Sequence, residues 1–161
     1  MDLLFVQKSS EKSKAFQAIL FGGLIAGFLD LTAACVNSGL NGVSPTRVMQ
    51  AIASGLLGAE SYKGGFATVA LGVVLHFFIA LTATAVYYLA SRKFKFLVNQ
   101  FVASGISYGI AIYLFMSFVV LPLSYFTGKI PSAPLPITVG LIIHIIFVGL
   151  PIAFVVRRFS K

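Results

Sequence analysis

One cysteine, no tryptophan, four acidic residues and a charged fraction of only 10% distinguish this 161-residue chain. Each scarcity excludes something. A single thiol, Cys35, rules out an internal disulfide and leaves the paired-cysteine patterns of structural zinc sites unmet. So few charges cannot solvate an ordinary soluble domain, which carries about 25%. There is also no Walker loop, no dinucleotide fingerprint and no nucleophile elbow around Ser104, Ser107 or Ser117, so an enzyme is not expected.

What the chain has in quantity is apolar sequence, at 58% of residues. Residues 15–36, 66–90, 97–121 and 137–156 each approach the roughly 20 apolar residues a membrane-spanning helix needs. The expected fold is therefore all-α, a polytopic four-transmembrane-helix bundle in a lipid bilayer, forming a single membrane domain. Residues 1–14 are polar and mixed in charge, and read as a frayed or surface-lying cytoplasmic arm. A basic start, an apolar run and Thr32-Ala33-Ala34-Cys35 share features with a signal peptide or lipoprotein site. Asp30 interrupts that run, and Thr32 stands where a larger aliphatic residue is required, so retention as the first helix is expected.

The charges give orientation. Lys8, Lys12, Lys14, Arg92, Lys93, Lys95, Arg157, Arg158 and Lys161 fall at one set of segment ends, against Arg47, Lys63 and Lys129 at the other. The positive-inside rule then puts both termini in the cytoplasm. Because the net charge of +8 is spread over short clusters at segment ends, no nucleic-acid partner is expected.

Asp30 is the residue around which the sequence is organised. A charge at mid-bilayer depth costs about 2.5 to 3.5 kcal/mol on insertion scales, so such a residue faces the bundle interior and marks a candidate functional site. At helical spacing it shares a face with Gly23, Gly27, Ala34 and Asn37. The second segment carries a matching stripe of Thr68, Gly72, His76, Ala80, Ala83 and Tyr87. The third has Gly105, Gly109, Tyr113 and Met116 before Pro122; the fourth has Gly140, His144, Phe147 and Pro151, the last expected to kink it. Small-x-x-x-small steps let helix backbones approach closely, so Gly23, Gly27, Gly72, Gly105, Gly109 and Gly140 are candidate packing positions. Between the first two segments, Ser44 suits an N-cap, Pro45 a first helical position and Gly58 a termination, with Val48, Met49, Ile52 and Leu56 on one face. That pattern predicts a short amphipathic helix over the bundle's mouth. Pro122, Pro131, Pro134 and Pro136 predict an extended third loop.

A weak internal duplication runs through these positions. Odd segments carry Gly-x-x-x-Gly, even segments carry Gly-x-x-x-His, and every even segment runs into paired basic residues, as in parallel repeats of some transporters.

The rise of about 1.5 Å per residue puts Asp30, His144, Tyr113 and His76 roughly 10 to 15 Å below the outer helix ends, in one layer drawn from four helices. Several chemistries suit it. Asp30 and one histidine can form a buried pair that fixes packing; a carboxylate beside imidazoles is also a proton or ion relay. Asp30, His76 and His144 match a two-His-one-carboxylate set for a divalent metal, and His76 with His144 can ligate haem. Lipid binding, homo-oligomerisation or service as an accessory subunit of a membrane complex remain open. Proton- or ion-coupled passage of a small solute is the preferred function, with no cofactor expected.

From residue 72 to 158 the chain resembles the YagU-like family of small four-helix bacterial inner-membrane proteins, of unknown function. The shared features are His76 before an apolar run, the basic turn at residues 92–95, Met116-Ser117-Phe118 leading to Pro122-Leu123, and His144 before Arg157-Arg158. The resemblance implies a bacterial inner membrane and supplies no catalytic residues.

Overall fold

Four helices long and apolar enough to cross a membrane carry most of the chain: Asp2–Gly39, Gly65–Lys93, Phe101–Leu123 and Pro134–Phe159. They are called the first to fourth helices below. This computed structural model describes residues 2–128 and 132–160, with side chains from residue 11 onward. Lys129, Pro131 and Lys161 lie outside the described residues, as does the side chain of Lys8. No strand occurs among the described residues, and the all-α four-helix bundle is as the apolar segments require.

Two boundaries differ from expectation. The first helix is continuous from Asp2, so residues 2–14 extend it instead of forming a separate arm. Nothing before Gly22 breaks a helix, and the polar residues there continue the backbone beyond the span, which itself begins at Glu11. The fourth helix starts at Pro134, because a proline costs nothing at a first helical position, and Ala133 before it is extended.

The connection after the first helix contains a cap helix, Pro45–Leu57, begun and ended as expected. Ser44 accepts the Arg47 N–H, and Gly58 terminates the helix with a positive φ of 59° that a side chain would strain. Its packed face is Val48, Gln50, Ala53 and Ser54, with Met49 and Ile52 half-buried and Leu56 exposed at the rim. The segment after the third helix is tied to it: Tyr125 N–H donates to the Gly55 carbonyl at 3.0 Å. Arg47 lies over the Tyr62 ring at 3.7 Å, closing the far side of this cap.

The spanning helices stand in the order second, first, fourth, third, each packed on the next, while the backbones of the second and third stay further apart. Glycine sets the close approaches. A Cβ at Gly23 would sit 2.8 Å from the Leu81 Cα, and one at Gly27 would meet the Phe77 ring at 2.9 Å, so this step locks the first helix to the second. In the other half, a Cβ at Gly109 would lie 2.6 Å from the His144 carbonyl and one at Gly105 would lie 3.1 Å from the Gly149 carbonyl. The two Gly-x-x-x-Gly steps thus do the same work, each joining an odd helix to the following even one. Gly149, which the sequence reading passed over, is the reciprocal partner: a Cβ there would meet Gly105 and Gly109 backbone. Gly72 packs differently from its neighbours, because what presses on it is the Met49 carbonyl of the cap helix.

Both later helices contain a widened turn. Leu121 N–H bonds the Met116 carbonyl and Leu150 N–H bonds the Ile145 carbonyl, five residues back, within the segments Met116–Val120 and His144–Gly149. Pro122 and Pro151 follow directly and have no N–H, so the ordinary four-residue ladder would fail there in any case. The disturbance expected at Pro151 takes this form.

The dry core lies toward the basic helix ends. Ala18, Thr84, Ile152, Ala153 and Val156 are wholly inaccessible there. Outward-facing Phe16, Phe28, Phe78 and Phe118 are instead exposed by more than half, as suits surfaces solvated by lipid tails. Arg92 approaches Glu11 to 3.8 Å, and Arg157 lies over Phe101 at 4.4 Å, so the basic ends of all four helices meet on one side.

Candidate functional site

Asp30 and His76 are neighbours. The His76 Nε2 lies 4.0 Å from Asp30 Oδ2 and 2.9 Å from the Gly27 carbonyl, to which it donates. Helical geometry explains the triad: Gly27 and Asp30 are three residues apart on one face of the first helix, and the missing side chain at Gly27 lets the second helix bring the imidazole in. The side chains are largely but not wholly buried, at 14% for His76 and 19% for Asp30. At 4.0 Å the carboxyl group makes no direct hydrogen bond to that nitrogen, which leaves room for a third group between or beside them.

His144 is held otherwise. Its Nδ1 donates to the Gly140 carbonyl of its own helix at 2.8 Å, and the Tyr113 ring meets it edge-on with centroids 5.3 Å apart. Gly140 is needed for that contact, since a Cβ there would lie 2.5 Å from Tyr113 Cε2. Tyr113 is buried against the histidine.

Asp30, His76 and His144 line one cavity of about 330 Å³. Ile79, Ile112, Met116 and Val148 form its apolar walls, while Ile52 and Leu56 of the cap helix and Phe126 close its outer end. This is near the lower limit of ordinary ligand pockets, about 300 to 1000 Å³. The layer expected from depth alone is therefore present as two pairs, Asp30 with His76 and Tyr113 with His144, the latter represented on the cavity wall by its histidine. Asn37, assigned to the same face, is exposed, and its carbonyl accepts from Asn41 Nδ2. Among the described residues no three His, Cys, Asp or Glu side chains converge as a metal-ligand group, so the Asp30, His76 and His144 set shares a wall without gathering around one point.

A second cleft, of about 420 Å³, lies nearer the basic ends between the second and third helices. Tyr87 and Tyr108 stand in it with ring centroids 4.9 Å apart. Tyr108 donates to the Ala83 carbonyl at 2.7 Å and Tyr87 to the Leu97 carbonyl at 3.0 Å. Tyr108 was not singled out from the sequence, because its position falls between the two glycines of the packing step. The signal was available: a tyrosine within a span needs a partner for its hydroxyl.

Four spanning helices around a partly polar cavity define an integral, multi-pass membrane protein. Comparison with protein-family models, curated proteins and solved structures finds no match.

Proposed function

We propose that the protein sits in a bacterial inner membrane with both termini cytoplasmic and moves a small solute in exchange for protons. One observation carries the reading: Asp30, His76 and His144, the ionisable side chains of the cavity, share a single hollow within the membrane-spanning region. A carboxylate is maintained at that depth only where something uses or neutralises it. Imidazole changes charge in the range of roughly pH 5 to 8, which suits it to relay protons to and from Asp30 at cellular pH. The basic helix ends and the YagU-like resemblance support the orientation and the compartment.

The experiment is proton flux in vesicles. Purified protein reconstituted under a pH gradient should dissipate it when solute is supplied, and Asp30→Asn, folded by size-exclusion and thermal melt, should not. Equal dissipation by both proteins would overturn the reading. Reporter fusions after residue 161 and within residues 92–95 should report cytoplasmic; an external signal from either would reverse the orientation.

A further inference from the structure

Backbones approach closely on three sides, second to first, first to fourth and fourth to third, whereas the second and third helices meet through side chains, Tyr108 on Ala83 and on the Tyr87 ring. Both hollows lie on that seam. The upper is bounded by Leu75, Ile79 and Ala83 of the second helix and by Ile112, Met116 and Val120 of the third. The lower draws its walls from those same two helices and the turn between them. The Tyr108 hydroxyl on Ala83 is the bridge that divides upper from lower.

The upper cavity also has a definite polarity. Around Asp30, the second helix contributes His76 and the fourth His144; the third contributes Tyr113 only behind His144, and the cap contributes Ile52, Gly55 and Leu56 with nothing ionisable. Among the described residues no lysine or arginine lines it. Asp30 is thus the one carboxyl group on the wall among the described residues, set in an otherwise largely apolar chamber, and a cation with an apolar body complements both features.

We infer that the solute is a protonated lipophilic amine that enters sideways from the bilayer through the seam between the second and third helices and sets its ammonium group against Asp30. This rests on the reading that the cavity is the solute site, and adds the ligand's class and route. The exchange conserves charge: as the ammonium arrives, a proton held on the His76 imidazole leaves to solvent, and its return expels the amine.

The test uses the full chain in nanodiscs, with octylamine, octanol and octanoate as probes in calorimetric titrations. Octylamine should bind at least tenfold more tightly than octanol, and octanoate should not bind. Titrations in buffers of different ionisation enthalpy should detect proton release on octylamine binding, and binding without proton release would overturn the exchange. Asp30→Asn should lose at least tenfold in octylamine affinity with octanol unchanged. Equal binding of octylamine and octanol by the unaltered protein overturns the inference, and needs no variant to fold. For the route, Leu75→Cys with Met116→Cys in a Cys35→Ser background places thiols on both walls of the seam at the upper cavity. Bridging them should slow octylamine association at least fivefold with little change in equilibrium affinity, and an unchanged rate would refute lateral entry. Octylamine binding as stated without proton-coupled flux would overturn the transport reading and leave the ligand class standing. Coupled flux of a neutral solute with no octylamine preference would do the reverse.

Discussion

The two ends of the bundle use the same kind of helix to opposite effect. Toward the basic ends, small and branched residues such as Ala18, Thr84, Ile152 and Val156 mesh between the first, second and fourth helices until their side chains are wholly inaccessible. Toward the cap, the same helices spread around a cavity of about 330 Å³ that contains Asp30, His76 and His144. In lipid there is no hydrophobic drive to bring helices together, so close packing has to be built by small residues, and a hollow persists only where the packing elsewhere holds the helices in place. The closed end is thus the scaffold of the open one.

The largest effect should come from breaking the contact on which both ends depend. Gly149→Leu forces a side chain into Gly105 and Gly109 backbone that cannot yield, so the third and fourth helices must separate. Loss of most folded protein is expected in detergent, measured by fluorescence-detected size exclusion. Recovery at the normal level would mean that the close approach of these helices is dispensable.

Next comes a matched pair of substitutions, one at each end. Ile152→Phe adds a ring where no space exists, and overpacking of that kind costs about 1 to 3 kcal/mol. Ile112→Phe adds the same atoms on the cavity wall, where the hollow can accept them, and should shift stability by less than about 1 kcal/mol. Thermal melts of both variants in one detergent decide it. Equal losses would show that the two ends do not differ in packing.

That contrast was only half legible in the sequence. The four spans could be read because length and apolarity are imposed by the bilayer itself, and Asp30 stood out because a buried carboxylate is costly whatever the fold. The pairing of Gly23 and Gly27 with the second helix, and of Gly105 and Gly109 with the fourth, follows the small-residue rule. Gly72 shows the rule's limit: a glycine announces that some backbone comes close, but not whether it belongs to a spanning helix or, as here, to Met49 of the cap. The continuation of the first helix to Asp2 was hidden because polar composition was read as loss of helix, although no residue there breaks one. The order of the helices, and with it the seam between the second and third, depends on side-chain fit across four elements and leaves no mark in any single segment.

The open end can be sharpened by asking which histidine answers Asp30. His76 approaches the carboxylate at 4.0 Å, whereas His144 is bonded to Gly140 and flanked by Tyr113. Asp30→Leu and His76→Leu should each destabilise, and their combination should restore part of the loss, giving a coupling of about 0.5 to 1.5 kcal/mol in a double-mutant cycle. The cycle with His144→Leu should be additive within about 0.5 kcal/mol. Coupling to His144 in place of His76 would require a rearranged cavity.

The smallest effect concerns the bridge between the two hollows. Tyr108→Phe keeps the ring against Tyr87 and removes only the hydroxyl that donates to Ala83. The Ala83 carbonyl sits within a continuous helix and has a backbone donor of its own, so losing the tyrosine leaves no orphaned acceptor. Hydrogen bonds between membrane helices average about 0.6 kcal/mol in such measurements, and a loss of that order is expected in thermal or denaturant unfolding. A loss above about 2 kcal/mol would mean that this bond holds the second and third helices together. The seam would then be a closed joint, and the two ends of the molecule would differ in packing without differing in access.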